Sequence, residues 1–569
     1  MKPIAFLALA AAASLLCAAR APEQRTMNYR AMPGMWLDGE PAIEMELRFR
    51  GDADGETVLH LPDEWAGSQR LWEHAKLLEI QGAQRHSGFY DKPILHHRPG
   101  AKIRVRYLVV SPYKKDPGFE YEKARPLIRP DWFFFHGEGV FALPEGRSAA
   151  PARFRWRKVP KGWRVASDLD HLAGKPTSAA NMIDSVAIGG TGLKVVRREV
   201  NGAPLRLAII GKWTFEADAL ADTIARIVAA EDAFWGDRSS PFLVAMAPLG
   251  ALPSGLSYAG TGRADAFSIA STSAFELAHA TRFLAHEYMH SWVPLSLGAL
   301  PDENQPVDYW FSEGFNDYLA AKVLLRSGLW TLDEFVADKN QTLLRYGTSS
   351  AKTTAAADVA ELFWTDRDIQ QVSYDRGHIL AAVLDAEIAA GSTGAARSLD
   401  QVMRAQRKAA EGSSELATAL FPRVLLAETG IDASDRIERH ARLGEPLLLP
   451  EGLFGDCVRV VTTDRAAFDR GYDADATRLA DGVITGVDPA GAAFAAGMRD
   501  GMRLIQREGG VIGDSTVELS YRIADEMGER VIRYMPEGKA RHQVQQLMIH
   551  AATDEERARC RTRLAGEPA

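Results

Sequence analysis

Residues 286–290 read HEYMH, which places two histidines four positions apart with a glutamate directly after the first. They lie in a stretch of helical apolar spacing, residues 273–292, that predicts a helix. On a helix, residues four apart share a face, so the His286 and His290 imidazoles can reach one metal ion while Glu287 projects beside it. In a chain with 14 histidines this motif also arises by chance, so it needs support elsewhere in the sequence.

A second predicted helix, residues 309–325, provides that support, because residues 310–317 read WFSEGFND. A hydrolytic zinc site needs three protein ligands and an open position for water, and Glu313 supplies the third ligand. Asp317 lies one turn further along, where it can accept the free N–H of a ligating histidine. A lone carboxylate on a helix is usually a surface charge, whereas these residues in register on two helices favour a site for one Zn²⁺ per chain.

The rest of the chain predicts several domains, as expected from its 569 residues. Residues 42–50 and 103–109 alternate apolar and polar side chains, which is typical of half-buried strands. Helical patterns dominate the middle of the chain, and short strands with glycine-rich turns return near its end. The predicted fold class is multidomain α+β. Its units are an N-terminal antiparallel β domain, a mixed and largely helical domain, a C-terminal β domain and a tail, at residues 23–168, 169–450, 455–550 and 551–569.

The leader, residues 1–21, has the composition of a secretory signal peptide: Lys2, an apolar run rich in Ala and Leu, and then small residues. It predicts an exported protein, periplasmic or secreted, with an uncleaved membrane anchor or lipidation at Cys17 as the alternatives. No later segment is apolar for long enough to span a bilayer. A net charge of −8 without a Lys/Arg cluster argues against nucleic acid as a partner.

Two cysteines lie beyond the leader, Cys457 and Cys560, and neither has a second cysteine at the CxxC spacing of metal sites. In an oxidising compartment the two could pair and attach the C-terminal tail to the domain before it. Two free, buried thiols are the alternative.

In its motifs the chain resembles the PDZ-bearing zinc metallopeptidases named for glycyl aminopeptidase, which are relatives of thermolysin. The resemblance rests on HEYMHSW, WFSEGFNDY, YDRG and the PDZ-like segments VITGVDP and AGMRDG, at residues 286–292, 310–318, 374–377, 483–489 and 496–501. It implies a thermolysin-like fold for residues 169–450 and a PDZ-like domain for residues 455–550. Such a domain usually binds extended C-terminal peptides at a sheet edge, and Gly471-Tyr472 is the candidate carboxylate loop.

The resemblance also implies roles for single residues. His286, His290 and Glu313 would hold zinc, and Glu287 would be the general base that takes a proton from water and delivers it to the departing amine. Tyr374 matches a tyrosine whose hydroxyl helps to hold the oxyanion in this family, with a plain core tyrosine as the alternative.

One loop departs from the family pattern. Aminopeptidases of this family carry Gly-Gly-Leu-Glu-His shortly before the zinc helix, and its acid can hold the free amine of the substrate. Residues 254–258 read SGLSY here and lack the acid, although Asp265 lies nearby in the sequence. The candidate substrate-binding residues are Gly255, Leu256, Ser257 and Tyr258.

The predicted function is zinc-dependent hydrolysis of peptide bonds in peptides or unfolded proteins outside the cytoplasm, aminopeptidase-like by resemblance. An endopeptidase is the first alternative, because the amine-binding acid is absent. A catalytically silent PDZ-bearing scaffold is the second, although the complete HExxH motif together with Glu313 argues against it.

Overall fold

The computed structural model describes residues 26–566, apart from residues 87, 237–239, 251–255, 264, 295, 302 and 396. The predicted leader and Gly255 lie outside the described residues. Among the described helices, none combines the length and the apolar character that crossing a bilayer requires. The chain folds into several sheets and helices, which agrees with a multidomain mixed α/β protein.

The N-terminal part, up to residue 190, is built mainly from strands. The elements are β1 Met27–Leu37, β2 Glu40–Arg50, β3 Glu56–His60, β4 Ala75–Gln81, β5 Gln84–His86, β6 Ile94–His96, β7 Lys102–Val110, β8 Leu127–Ile128, β9 Trp132–His136, β10 Leu143–Pro144, β11 Pro151–Trp156, β12 Arg164–Ser167, β13 Thr177–Ser178, α1 Ala179–Ile183 and β14 Val186–Gly190. A six-stranded sheet has the order β13-β11-β1-β2-β7-β4, and two four-stranded sheets have the orders β10-β3-β6-β5 and β12-β14-β9-β8.

The strands predicted at residues 42–50 and 103–109 correspond to β2 and β7, which pair antiparallel from Ala42 to Arg50 of β2. One pair, β1 with β11, is parallel, so the N-terminal part is not purely antiparallel as predicted. A domain boundary at residue 168 would separate β12 from its antiparallel partner β14. We therefore propose the boundary after Gly190, because backbone pairing ties β14 to the N-terminal strand β9 as well.

The central part packs helices against one mixed sheet. The elements are β15 Lys194–Val200, β16 Ala203–Ile209, α2 Ala217–Trp235, β17 Phe242–Pro248, β18 Tyr258–Gly262, β19 Ala266–Ser271, α3 Leu277–Met289, α4 Asn316–Arg326, α5 Leu332–Thr348, α6 Ala356–Leu362, α7 Arg367–Gly391, α8 Leu399–Ala410, α9 Ala417–Thr429 and α10 Ser434–Arg436. The sheet has the order β15-β16-β17-β19-β18, in which β18 lies at the edge. The predicted strand pair at residues 194–211 corresponds to β15 and β16.

The helix predicted at residues 309–325 starts differently in the structure. A π-helical turn, Trp310–Phe315, precedes α4 and carries Glu313. Gly314 in this turn approaches α7 so closely that a Cβ on it would lie 2.4 Å from the Gly377 Cα. The wide turn and the two glycines therefore let the two backbones touch, which brings Glu313 next to α7.

The C-terminal part has a small core of its own around Ile484, Met498, Leu504, Leu519 and Tyr521. The elements are β20 Val458–Phe468, α11 Ala474–Leu479, α12 Ala492–Ala495, β21 Arg503–Gly509, β22 Leu519–Asp525, β23 Gly528–Tyr534, β24 Glu537–Ile549 and α13 Asp554–Ala565. Strand β20 pairs with β24, and β21, β22 and β23 form a second sheet.

Hydrogen bonds from α5 and α4 fasten the C-terminal part to the central part, and a disulfide closes the C-terminal part itself. The Asn340 side chain on α5 pairs with both backbone polar groups of Leu547 on β24, at 2.7 and 3.0 Å. Cys457 and Cys560 form a disulfide that joins the start of β20 to α13. Arg326, at the end of α4, donates hydrogen bonds to the Ala565 carbonyl. The tail thus packs on the helix that follows the Glu313 turn.

Candidate metal centre

Three side chains from α3 and the following π-helical turn converge on one point. The Nε2 atoms of His286 and His290 lie 3.1 Å apart, and the Glu313 Oε2 lies 3.3 Å from the first and 3.4 Å from the second. These are the residues that the sequence predicts as zinc ligands. They form a group of metal-ligating side chains found in the described part of the chain.

The spacing of the three donor atoms fits a zinc ion. In a tetrahedral site with bonds of about 2.0 to 2.1 Å, neighbouring ligand atoms lie about 3.3 to 3.4 Å apart. The three observed separations fall within a few tenths of an ångström of that value. Two neutral imidazoles and one carboxylate are also a common donor set of catalytic zinc, so both the geometry and the chemistry of these residues fit the metal.

Both histidines are held in the tautomer that a metal requires. The His286 Nδ1 donates to the Asp317 Oδ1 at 2.7 Å, and the His290 Nδ1 donates to the Val293 carbonyl at 2.8 Å. Each Nε2 therefore keeps its lone pair for a metal. Asp317 lies where the sequence predicts it. The Val293 carbonyl is a backbone acceptor, which a motif of side chains cannot predict.

The surroundings of the donor atoms favour a positive charge at their centre. Burial opposes the charged form of His286, yet Asp317 and then Glu313 raise the pKa of its imidazole to about 10. Burial likewise opposes the charged form of Glu313, but His290 and His286 hold the pKa of its carboxyl well below the usual range. Because a ligating histidine must be neutral, a divalent cation bound here would take the place of a proton.

Asp317 is itself held in place by a cation. Arg282 donates to the Asp317 Oδ1 at 2.7 Å and to the Asp338 Oδ1 at 3.0 Å. The Asn316 amide donates to the His286 carbonyl at 2.7 Å and fixes the backbone of α3. The sequence prediction missed Arg282, although it lies four residues before His286 and therefore on the same helix face.

Replacing Asp317 by Asn is expected to weaken zinc binding by about 10- to 100-fold, because the His286 ring loses the negative partner that orients it and raises its basicity. Titration against a chromogenic chelator measures the zinc affinity. The matched control is Asp338→Asn, which removes a carboxylate from the other side of Arg282 without touching the imidazole. Equal losses in the two variants would contradict the role given to Asp317.

A cleft of 390 Å³ opens beside the donor atoms, and Glu287 and Tyr374 line it together with the strand end at Gly260, Thr261 and Gly262. The Glu287 side chain lies half-buried at this surface. Its Oε2 would be 3.9 Å from a Cβ on Gly262, so the strand passes within van der Waals distance of the carboxylate. The Glu287 carboxylate therefore faces the cleft and is not one of the three candidate metal ligands.

Tyr374 reaches the same cleft from α7. Its ring stacks on the His286 ring with centroids 6.0 Å apart. Burial raises the pKa of its hydroxyl well above the usual value, and Glu313 and Glu287 raise it further, so the hydroxyl keeps its proton and can donate it. The contact between Gly377 and the Glu313 turn sets this position, since Tyr374 lies one helical turn before Gly377.

The predicted substrate-binding residues lie elsewhere. Leu256 packs against the core, the Ser257 N–H donates to the Thr272 Oγ1, and the Tyr258 ring packs on Phe283. None of these three lines the cleft within the described residues. The strand meets Glu287 a few residues later, at Gly260–Gly262, because β18 continues past the segment that the sequence singled out.

Two further side chains, Asp265 and His378, also lie away from the donor atoms. The Asp265 carboxylate faces His171, with 3.8 Å between its Oδ2 and the imidazole Nε2, and it does not line the cleft among the described residues. His378 is buried on α7, where its Nε2 contacts the Lys339 ammonium. Asp265 is therefore no replacement for the missing acid.

A buried carboxyl, Glu231 on α2, lies behind the metal helix. Neither of its carboxyl oxygens has a hydrogen-bond partner among the described residues. Burial raises its pKa well above the usual value, Asp232 raises it further and His286 lowers it. Glu231 is therefore protonated in the folded chain at a pH where the unfolded chain is ionised.

Replacing Glu231 by Gln is expected to stabilise the protein increasingly as the pH rises. Because the pKa of Glu231 is higher in the folded chain, its contribution to folding stability is fully present when the pH is below its pKa in the unfolded chain. This contribution is lost as the pH rises towards the pKa of Glu231 in the folded chain. The loss is about 1.4 kcal/mol for each pH unit between the unfolded-state pKa and the folded-state pKa. Gln does not titrate, so the difference in Tm between variant and wild type grows from pH 5 to pH 8. The control is exposed Glu199→Gln, and a difference that shrinks with pH contradicts the assignment.

The chain also matches known proteins. The family model of the M61 glycyl aminopeptidases matches residues 279–379. The structure of an aminopeptidase N family protein from Idiomarina loihiensis aligns with a TM-score of 0.69 at 16% identity, covering 95% of this chain and 100% of that chain. A substrate-bound M1 zinc metallopeptidase from Deinococcus radiodurans aligns with a TM-score of 0.47 at 16% identity, covering 75% of this chain and 96% of that chain.

No curated protein sequence matches the chain. The family match spans α3, the Glu313 turn and the start of α7 up to Ile379, which are the elements that carry the donor atoms and Tyr374. The structural match extends the likeness in fold over nearly the whole chain. Together they confirm the predicted resemblance of the chain to the glycyl aminopeptidase-like zinc metallopeptidases.

Proposed function

We propose that the protein is a zinc-dependent peptidase of the aminopeptidase-like group, which hydrolyses peptide bonds in peptides or unfolded proteins. The observation that carries this proposal is the convergence of His286, His290 and Glu313 at zinc spacing, with both imidazoles in the ligating tautomer and Glu287 free beside them. A structural metal site would be closed by a fourth protein ligand, whereas this one opens onto a cleft.

In this proposal each residue has one task. When bound, zinc would supply a Lewis acid that lowers the pKa of a water molecule towards about 7 and polarises the substrate carbonyl. Glu287 accepts the proton of the attacking water and passes it to the leaving amine. The Tyr374 hydroxyl donates to the oxygen that becomes negative in the transition state, a contribution of about 3 to 4 kcal/mol for one such donor.

The edge strand β18 is the proposed binding surface for the substrate backbone. An extended peptide can add to a sheet edge by main-chain hydrogen bonds. Gly260 and Gly262 place no side chain on the strand where it passes Glu287, and a side chain added at Gly260 would collide with Phe283. The substrate backbone can therefore lie directly against the catalytic residues.

The C-terminal part is proposed to be a PDZ-like domain that binds C-terminal peptides. Its separate core and its five strands support this proposal. The candidate carboxylate loop at Gly471-Tyr472 does not, because the Gly471 N–H already donates to the Asp469 Oδ1 at 2.7 Å and the Tyr472 ring packs on Tyr521. The disulfide supports the proposed export to an oxidising compartment.

Digestion of a mixed peptide pool tests the function. Purified, zinc-replete protein is incubated with the pool, products are read by mass spectrometry, and a chelator-treated sample runs in parallel. Single residues released from free N-termini in the zinc-replete sample alone indicate an aminopeptidase, and internal cuts lost on chelation indicate an endopeptidase. Intact peptides in the zinc-replete sample contradict the peptidase proposal and favour a silent scaffold.

A further inference from the structure

The cleft contains a cationic side chain that the hydrolytic steps do not use. Lys123 reaches it from the segment between β7 and β8 and lines it together with Glu287 and Glu313. The side chain is half-buried. Burial lowers its pKa, while Glu287 and Glu313 act from nearby in the opposite direction. Among the described residues, no carboxylate lies within ion-pair distance of its ammonium group.

The position of Lys123 relative to the cleft is fixed by the central sheet. Its backbone carbonyl accepts a hydrogen bond from the His136 Nδ1 at 2.7 Å. The other nitrogen of this ring contacts the Ser268 Oγ on β19 at 2.7 Å. Burial lowers the pKa of His136 well below its usual value, which keeps the ring neutral and suited to one donor and one acceptor. The N-terminal segment is thus tied to the strand beside β18.

A second cation near Lys123 is already neutralised. Arg263, which follows β18, makes ion pairs with Glu138 and Asp184. Its guanidinium lies 4.6 Å from the centroid of the Trp65 ring, and the Lys123 ammonium lies 5.8 Å from the same centroid. Trp65 therefore holds both cations at one end of the cleft, where only Lys123 lacks a carboxylate partner among the described residues.

We propose that Lys123 forms a subsite for a carboxylate of the substrate, close to the scissile bond. The inference rests on the proposed peptidase function and names its substrate class: peptides that present a carboxylate at this end of the cleft. A substrate carboxylate supplies the counter-ion that Lys123 lacks in a partly buried place, whereas a free ammonium group is repelled there. The Asp184 carboxylate at this end of the cleft already shares its charge with Arg263.

Two sources can supply this carboxylate: an Asp or Glu side chain next to the scissile bond, or the α-carboxylate at the end of a short peptide. Both place the same group at Lys123. The peptides used as probes must therefore vary the two sources separately. One pair exchanges Glu for Gln beside the cut, and a second pair exchanges a C-terminal acid for a C-terminal amide.

Binding and turnover are measured with these two pairs. Binding is measured by calorimetry on the zinc-loaded Glu287→Gln variant, with and without Lys123→Met, so that selectivity is read without any hydrolysis. Turnover is measured as kcat/KM with wild type, Lys123→Met and Lys123→Glu. Lys539→Met is the matched control, since the Lys539 side chain is 85% exposed on the C-terminal part.

Wild-type protein is expected to favour the carboxylate member of at least one pair by about tenfold, mainly through KM. Lys123→Met removes this preference and leaves the neutral peptide within about threefold of wild type, and Lys123→Glu favours a Lys-containing peptide instead. Equal binding of both members of each pair overturns the proposal, as does an equal loss on every peptide in Lys123→Met. A preference in binding without any turnover supports the subsite and contradicts the peptidase function, so the two failures are distinguishable.

Discussion

Replacing Glu287 by Gln is expected to lower kcat/KM for peptide hydrolysis by about a thousandfold or more, while one zinc ion per chain is retained. General acid–base groups contribute about 10²- to 10⁴-fold, and the proposed mechanism uses Glu287 twice, on the attacking water and on the leaving amine. Gln has the same size and does not disturb the three donor atoms. Initial rates on a peptide that the wild type cleaves, with zinc content from elemental analysis, measure the effect.

The control for this variant is Glu276→Gln, which changes an exposed glutamate just before the same helix. It is expected to retain the rate of the wild type within about twofold, since surface substitutions rarely matter. A Glu287→Gln variant that keeps its zinc and more than a tenth of the wild-type rate would show that another group serves as the base.

Replacing Glu313 by Ala is expected to abolish zinc retention together with hydrolysis. The loss in affinity should exceed the roughly 10- to 100-fold expected when an outer partner such as Asp317 is changed, because a ligand atom and its charge disappear. A metal that binds only the folded state would stabilise it by about 2.7 kcal/mol when its concentration is 100 times Kd. The Tm of wild type therefore rises with added zinc, and the Tm of Glu313→Ala should not.

Asp317→Asn serves as the comparison for this experiment, because it changes a carboxylate one turn away without removing a ligand atom. Its Tm should still rise on addition of zinc, at a higher zinc concentration than in wild type. If the Tm of Glu313→Ala rises as much as that of wild type at the same zinc concentration, Glu313 is not a ligand.

The residues whose placement followed from the sequence are those related by helical spacing. His286 and His290 share a face because they lie four apart, and Glu313 and Asp317 lie four apart across the junction of the π-helical turn and α4. The same helical spacing could have predicted Arg282, since it precedes His286 by four residues. Such local relations are fixed by the geometry of a helix and need no knowledge of the fold.

Other features depend on contacts between distant parts of the chain. Lys123 enters the cleft because β9 and β19 bring the N-terminal segment to the central sheet through His136 and Ser268. The spacing of residues in the sequence does not predict that the Lys123 segment contacts the central sheet. The register of β18 is similar: its first residues pack on aromatic rings, and the part that faces Glu287 is decided by its pairing with β19. A boundary at residue 168 overlooks the pairing of β12 with β14 for the same reason.

The π-helical turn makes the metal centre sensitive to chain length. Each residue of an α-helix adds a rotation of about 100°. Deleting Gly314 would change the rotation between Glu313 and α4 and would remove the glycine that lets the turn touch Gly377, even though every donor would still be present. Substitutions at neighbouring positions leave this rotation unchanged. Viable natural variants should therefore differ here by exchange of residues and almost never by insertion or deletion, and a library of single-residue deletions would find Trp310–Phe315 among the least tolerant segments of the chain.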